Sequence, residues 1–202
     1  MKKFELTAEF VTNVFGKKLF RIKALVAFGD VSAGELGGFV EKEENLSNNG
    51  NAWVSGNAWV SGDAQVSGNA WVSGNAWVSG DARVSGNARV YGDAQVSGNA
   101  WVSGNAWVSG DARVSGDARV YGDADYAVVT GFGHCFRATT FFRCKDKILR
   151  VQCGCFYGDL AQFREIVKKT HGDSKYAKEY LAIADLMELH FSDEEENQEA
   201  AK

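Results

Sequence analysis

The sequence predicts a mainly β protein centred on a parallel β-helix, and three features carry that prediction. From Asn51 to Tyr121 the chain repeats every six residues as Gly-[Asn/Asp]-Ala-x-Val-[Ser/Tyr]. Val stands at 54, 60, 66, 72, 78, 84, 90, 96, 102, 108, 114 and 120, each with Ala two residues before it. The chain also holds 23 Gly and no Pro, so the corners of the repeat are led by glycine. Self-similarity at a short fixed period marks a solenoid, and hexads point to a parallel β-helix.

The hexad makes physical sense as strand and corner. Alternate side chains of a strand face opposite sides, so Ala and Val point inward together. The residue between them, and the Ser or Tyr after Val, point outward. Gly-Asn and Gly-Asp suit the corners, because both members tolerate positive φ. An α-helix would not keep a period of six, and this glycine content opposes it.

On either side of the repeat the pattern changes. In the unit 1–30, Phe4 to Leu25 alternates apolar and polar residues around Phe15-Gly16-Lys17-Lys18, which reads as a β-hairpin. Residues 31–124 form the β-helix, with regular coils over 51–121. Its first coil is imperfect, with Val31, Leu36, Val40 and Leu46 turned inward, because a terminal repeat must cap an open sheet end. Residues 125–191 read as a small α+β cap. Strands are expected at Tyr126–Val129, Thr139–Cys144 and Ile148–Cys155, the last two joined at Lys145-Asp146-Lys147. Asp159 caps a helix with Gln162 in the capping-box position, Leu160, Phe163, Ile166 and Val167 form its apolar stripe, and Gly172 ends it. A second helix runs from about Ser174 to His190, with Tyr176, Tyr180, Ile183, Ala184 and Met187 on one side. The acidic stretch 192–202 is expected to be disordered.

Composition narrows the setting. A formal charge of -4 argues against bulk nucleic-acid binding. No apolar run approaches the roughly 20 residues that cross a bilayer, and Met1-Lys2-Lys3-Phe4-Glu5 lacks the apolar stretch of a secretory signal. A soluble, cytoplasmic protein is therefore expected, with Cys135, Cys144, Cys153 and Cys155 kept as thiols.

The hexads resemble those of hexapeptide-repeat, left-handed β-helix proteins, in which three hexads close one triangular coil. That resemblance implies the hand, the triangular section and a preference for trimers. Twelve hexads then make four coils, spanning about 20 Å at the usual strand spacing. The flanks resemble small phage and prophage proteins. The resemblance lies in Phe28-Gly-Asp-Val-Ser-Ala-Gly-Glu-Leu-Gly-Gly-Phe-Val-Glu-Lys-Glu-Glu-Asn-Leu-Ser47, in Cys153-Gly-Cys-Phe-Tyr-Gly-Asp-Leu-Ala-Gln-Phe-Arg164 and in Thr170-His-Gly-Asp-Ser-Lys-Tyr-Ala-Lys-Glu-Tyr180. It implies a protein acting inside a bacterial host, as a counter-defence factor that blocks a host component.

With three hexads per coil, outward residues 18 apart stack in columns. One column is Trp53, Trp71, Arg89 and Trp107; a second is Trp59, Trp77, Gln95 and Arg113; a third is Gln65, Arg83, Trp101 and Arg119. All six tryptophans are thus expected to face away from the core. With Tyr91 and Tyr121 these residues are the candidate interface or ligand surface, either between protomers of a homo-oligomer or for a host protein. Stacked Trp and Arg can equally serve only to hold neighbouring coils together. The near identity of Asn51–Gly68 and Asn69–Gly86, suggestive of recent copying, fits that plainer reading. Arg, Ser, Tyr and Trp on flat walls would also suit an anionic aromatic ligand such as a nucleotide-like immune signal, which the protein would sequester at protomer interfaces.

Catalysis has thin support. Many hexapeptide-repeat proteins are acyltransferases, and that resemblance implies a His base at a subunit interface. The coils contain no His; the three in the chain are His134, His171 and His190. His134, after Gly131-Phe132-Gly133, could reach a neighbour's wall. His171 suits a helix C-terminus, and His190 reads as a surface or packing residue. Cys153-Gly154-Cys155 would set two thiols on one strand face, but paired CxxC knuckles are missing, so buried structural thiols are expected and no metal or cofactor is assigned. Repeat serines occupy equivalent sites, which argues against a unique nucleophile.

Overall fold

The computed structural model describes residues 2–192; the acidic stretch from 193 onward lies outside the described residues. Two strands open the chain, β1 (Phe4–Thr12) and β2 (Lys18–Ala24), followed by β3 (Leu36–Val40). Twelve two-residue strands follow, β4 (Trp53–Val54) to β15 (Arg119–Val120), one per hexad. They stack as three parallel ladders with a register of 18 residues. Trp53 pairs with Trp71 and Arg89 with Trp107. Trp59 pairs with Trp77 and Gln95 with Arg113. Gln65 pairs with Arg83 and Trp101 with Arg119. Every repeat Ala and Val is at most 1% exposed, so the rod's centre is a continuous Ala/Val column.

The corners show which member of each pair makes the bend. Glycine alone takes positive φ there; among the described residues the only others with positive φ are Phe136 and Lys147. Asn and Asp bond along the rod instead. Asn69 donates to Asn87, and Asn87 to Asn105, each at 3.1 Å. The amide therefore links coils, while glycine makes the bend.

The hairpin is continuous with one wall. β3 runs antiparallel to β2 and parallel to β5 (Trp59–Val60), pairing Phe39 with Trp59 and Val40 with Val60, so a seven-stranded sheet results. Val40 and Leu46 point inward as expected, and Leu46 bridges to Val66. Leu36 does not; it is 50% exposed because it pairs with Lys23 of the hairpin, beyond the coil's edge. Polar side chains close this end. Lys3 donates through Nζ to Ala52 O at 2.8 Å, and Asn45 through Nδ2 to Ala64 O at 2.8 Å, satisfying carbonyls with no coil beneath them.

At the other end an antiparallel sheet seals the rod: β16 (Tyr126–Val129), β17 (Thr139–Arg143), β18 (Leu149–Cys153) and β19 (Phe156–Asp159). Phe142 and Cys144 join the rod's core, and Thr140 Oγ1 accepts from the Arg113 amide at 2.9 Å. Burial pushes the Cys144 thiol up. β19 was not expected. Gly154 and Cys155 form the turn between β18 and β19, so Cys153 and Cys155 do not share a strand face. Helices α1 (Leu160–His171) and α2 (Lys175–His190) cover the sheet's far side in a second core around Phe141, Phe163 and Tyr180. The Asp159–Gln162 capping box and the Gly172 terminus stand as read from sequence, whereas Ile166 is 38% exposed.

Candidate functional site

The strand register produces the three columns, but their residues differ in what they can offer. Trp53, expected to face outward, is fully buried. It has no coil of regular hexads below it, so the chain before the repeat folds over it. Phe28 meets its ring edge-on at 5.5 Å, and a Cβ on Gly37 would stand 2.7 Å from the indole. Trp59 and Trp77 are half-buried and packed edge to face at 5.2 Å. On the third wall Trp101 lies between the guanidinium groups of Arg83 at 5.4 Å and Arg119 at 5.1 Å. Such exposed cation–π contacts contribute about 0.5–1 kcal/mol each, so these residues bind coil to coil. Arg113 and Gln65 are exposed but stand outside any aromatic cluster. Tyr121, also exposed, ends the third wall.

The first wall is different. Trp71 donates from its indole nitrogen to Ser55 Oγ at 3.1 Å, and the Trp107 ring meets Tyr91 at 5.6 Å. Both lean over the coil before their own. Arg89 stands exposed between them, and half of Trp107 is open to solvent. Together with Asp30 and Ser73 they line a groove of about 430 Å³. A second hollow of about 350 Å³ continues past Tyr91 and Trp107 to Asp123 and Tyr126. Tyr126 donates its hydroxyl to the carbonyl of Trp107, and burial pushes its pKa up. It therefore stays a neutral donor that fixes the end of the trough.

Asp30, Asp123 and Tyr126 were not legible as site residues. They lie outside the hexads, and only the docking of the irregular flanks onto the first wall brings them there. The groove offers aromatic faces for stacking, a guanidinium with five donors in a planar fork, and a carboxylate acceptor.

His134 lies in the cap, exposed, with its ring edge-on to Tyr176 at 5.5 Å and Nδ1 3.6 Å from the Cys135 thiol. His171 packs tilted against Tyr180 at 5.8 Å, and His190 meets Phe191 edge-on at 4.8 Å. Among the described residues no three His, Cys, Asp or Glu side chains gather as a metal site. No helix among them is long and apolar enough to cross a membrane.

The comparison with known families fits this geometry. A family model described as the YdcK β-solenoid repeat matches residues 64–80, 82–96, 94–110 and 112–124. None of the curated proteins matches the chain. Over these segments the chain is similar to the YdcK β-solenoid repeat.

Proposed function

We propose that this chain is a non-enzymatic binding protein that captures a flat, negatively charged aromatic molecule of the nucleotide class on its first wall. The observation that carries this reading is the groove in which Trp71, Tyr91 and Trp107 surround the exposed Arg89. A base stacked on an aromatic side chain gains about 1–3 kcal/mol. Arg89 supplies the charge-assisted hydrogen bonds that a phosphate needs, and Asp30 can accept from a sugar hydroxyl or a base N–H. The phage-like flanks supply the setting, a sponge that withdraws a nucleotide-like immune signal within a bacterial host.

A protein surface is the second reading. Trp101 and Trp107 are large, exposed aromatics on two walls, and such surfaces mark interfaces. The occupant would be a host component or further copies of this chain, as in a trimer. An acyltransferase would require His134 of one protomer to reach another's wall.

Native mass spectrometry of protein taken gently from a bacterial lysate, with tryptophan-fluorescence titration by AMP and a cyclic dinucleotide, tests the proposal. Bound nucleotide mass is expected, with quenching that weakens about tenfold in Arg89→Ala and Trp107→Ala. Neither mass nor quenching at millimolar nucleotide would overturn it. A co-purifying protein lost in Trp107→Ala would establish the interface reading instead, and acetyl-coenzyme A turnover abolished by His134→Ala the enzymatic one.

A further inference from the structure

The cap contains a separate hollow, away from the groove on the first wall. It measures about 270 Å³ and lies between α1, α2 and the loop 130–138. Its floor is apolar: Phe163 and Val167 are at most 4% exposed, and Phe156 and Ile166 complete the sides. At its mouth stand Arg137 and His171, and no Asp or Glu is among its lining residues. An apolar interior with a guanidinium and an imidazole at the opening, and no carboxylate among the lining residues, favours a ligand with an apolar body and an anionic head.

The mouth is also held in place. The Arg137 guanidinium rests against the turn at Gly154, where a Cβ would come within 2.6 Å of Nη1. Just before it, Phe136 adopts φ +51 although it is a bulky aromatic with 69% of its surface exposed. A left-handed conformation at such a residue costs free energy and persists only where its surroundings impose it. The loop also contains Gly131 and Gly133 at positive φ, and the Gly133 amide donates to Glu179 Oε2 of α2 at 2.9 Å. Phe136 thus fixes the backbone directly before Arg137, whose side chain borders this hollow and also a neighbouring one that contains Gly154, Asp93 and Asp111.

We propose that this hollow binds a small amphipathic carboxylate, its chain or ring against Phe163 and Val167 and its carboxylate on Arg137 and His171. At roughly 30 Å³ for the share of one liquid water the space takes about nine water-sized groups, the scale of octanoate or benzoate. The site is independent of the groove on the first wall, so either can fail without the other.

Titration of the full chain with sodium octanoate and with 1-octanol, followed by methyl NMR at Ile166 and Val167 and by calorimetry, tests this. Octanoate is expected to move both methyl signals and to bind about tenfold more tightly than 1-octanol, the margin a charge-assisted bond supplies. Arg137→Met should erase that margin with the methyl spectrum of the free protein unchanged. Ile166→Trp, at a partly exposed position that tolerates bulk, should fill the hollow and abolish binding of both. Phe136→Gly should melt higher yet bind octanoate more weakly, since strain is relieved and Arg137 is released. Unmoved methyl signals at millimolar octanoate, equal affinity for the two probes, or a margin that survives Arg137→Met would each overturn the proposal.

Discussion

At Gly86 the backbone holds φ at +65, and an added Cβ would stand 2.9 Å from the amide nitrogen of Gly104 in the next coil. Two demands coincide there: a left-handed corner and close stacking of corner on corner. Gly86→Ala is therefore expected to lower stability by roughly 2 kcal/mol or more, while Ser85→Ala beside it changes it by about 0.5 kcal/mol or less; thermal melts of the two variants provide the check. Lys3 offers a different test. Burial pushes its amine down to about 8 from 10.5, so above pH 8 the folded state holds fewer protons than the unfolded chain. Stability should therefore rise with pH between about 8 and 9. Beyond that range the unfolded Cys144 thiol, whose folded pKa is raised, ionises first and offsets the rise. Denaturant midpoints across this window should climb in the natural protein and stay flat in Lys3→Met.

At the scale of elements, local signals were reliable where one short segment decides the outcome. Asp159 Oδ1 accepts from the Gln162 amide at 2.8 Å and Gln162 Oε1 accepts from the Asp159 amide at 3.0 Å, as the capping-box spacing indicates. Asp159→Ala is expected to cost about 1 kcal/mol, visible as a lower midpoint of α1 and α2 in hydrogen exchange, with the rod's amides unaffected. Elements that depend on distant partners were less legible. β19 contains Gly158 and follows a Gly-Cys turn, so nothing local marks it as a strand. Its pairing with β18 supplies the reason, with Val151 opposite Gly158 and Gln152 opposite Tyr157. Leu36 misled for a similar reason: an apolar residue at a plausible inward phase belongs to the hairpin's edge.

For the whole molecule, identical cores make the hexads interchangeable, while the outward residues are not. Deleting one hexad, 75–80, should leave the Ala/Val column and both caps intact. It would also shift every later column by one wall, so that Trp71 stacks over Gln95 in place of Arg89. Circular dichroism and melting temperature are expected to change little, because solenoid stability adds up coil by coil. Nucleotide quenching should disappear, because the groove no longer exists. A retained ligand signal in that deletion would place binding outside the first wall.

The period of six and the inward Ala and Val followed from the hexad itself, and the columns 18 residues apart from its resemblance to coils of three hexads, because each residue of a solenoid meets the same neighbours one coil away. The register is local information repeated twelve times. Which outward residues remain available was decided only by tertiary structure. Trp53 and Trp107 occupy equivalent places in the repeat, yet the first is fully buried and the second half-exposed. Irregular chain ends cover one and leave the other beside Asp30 and Tyr126, and no periodicity encodes where an aperiodic flank will dock.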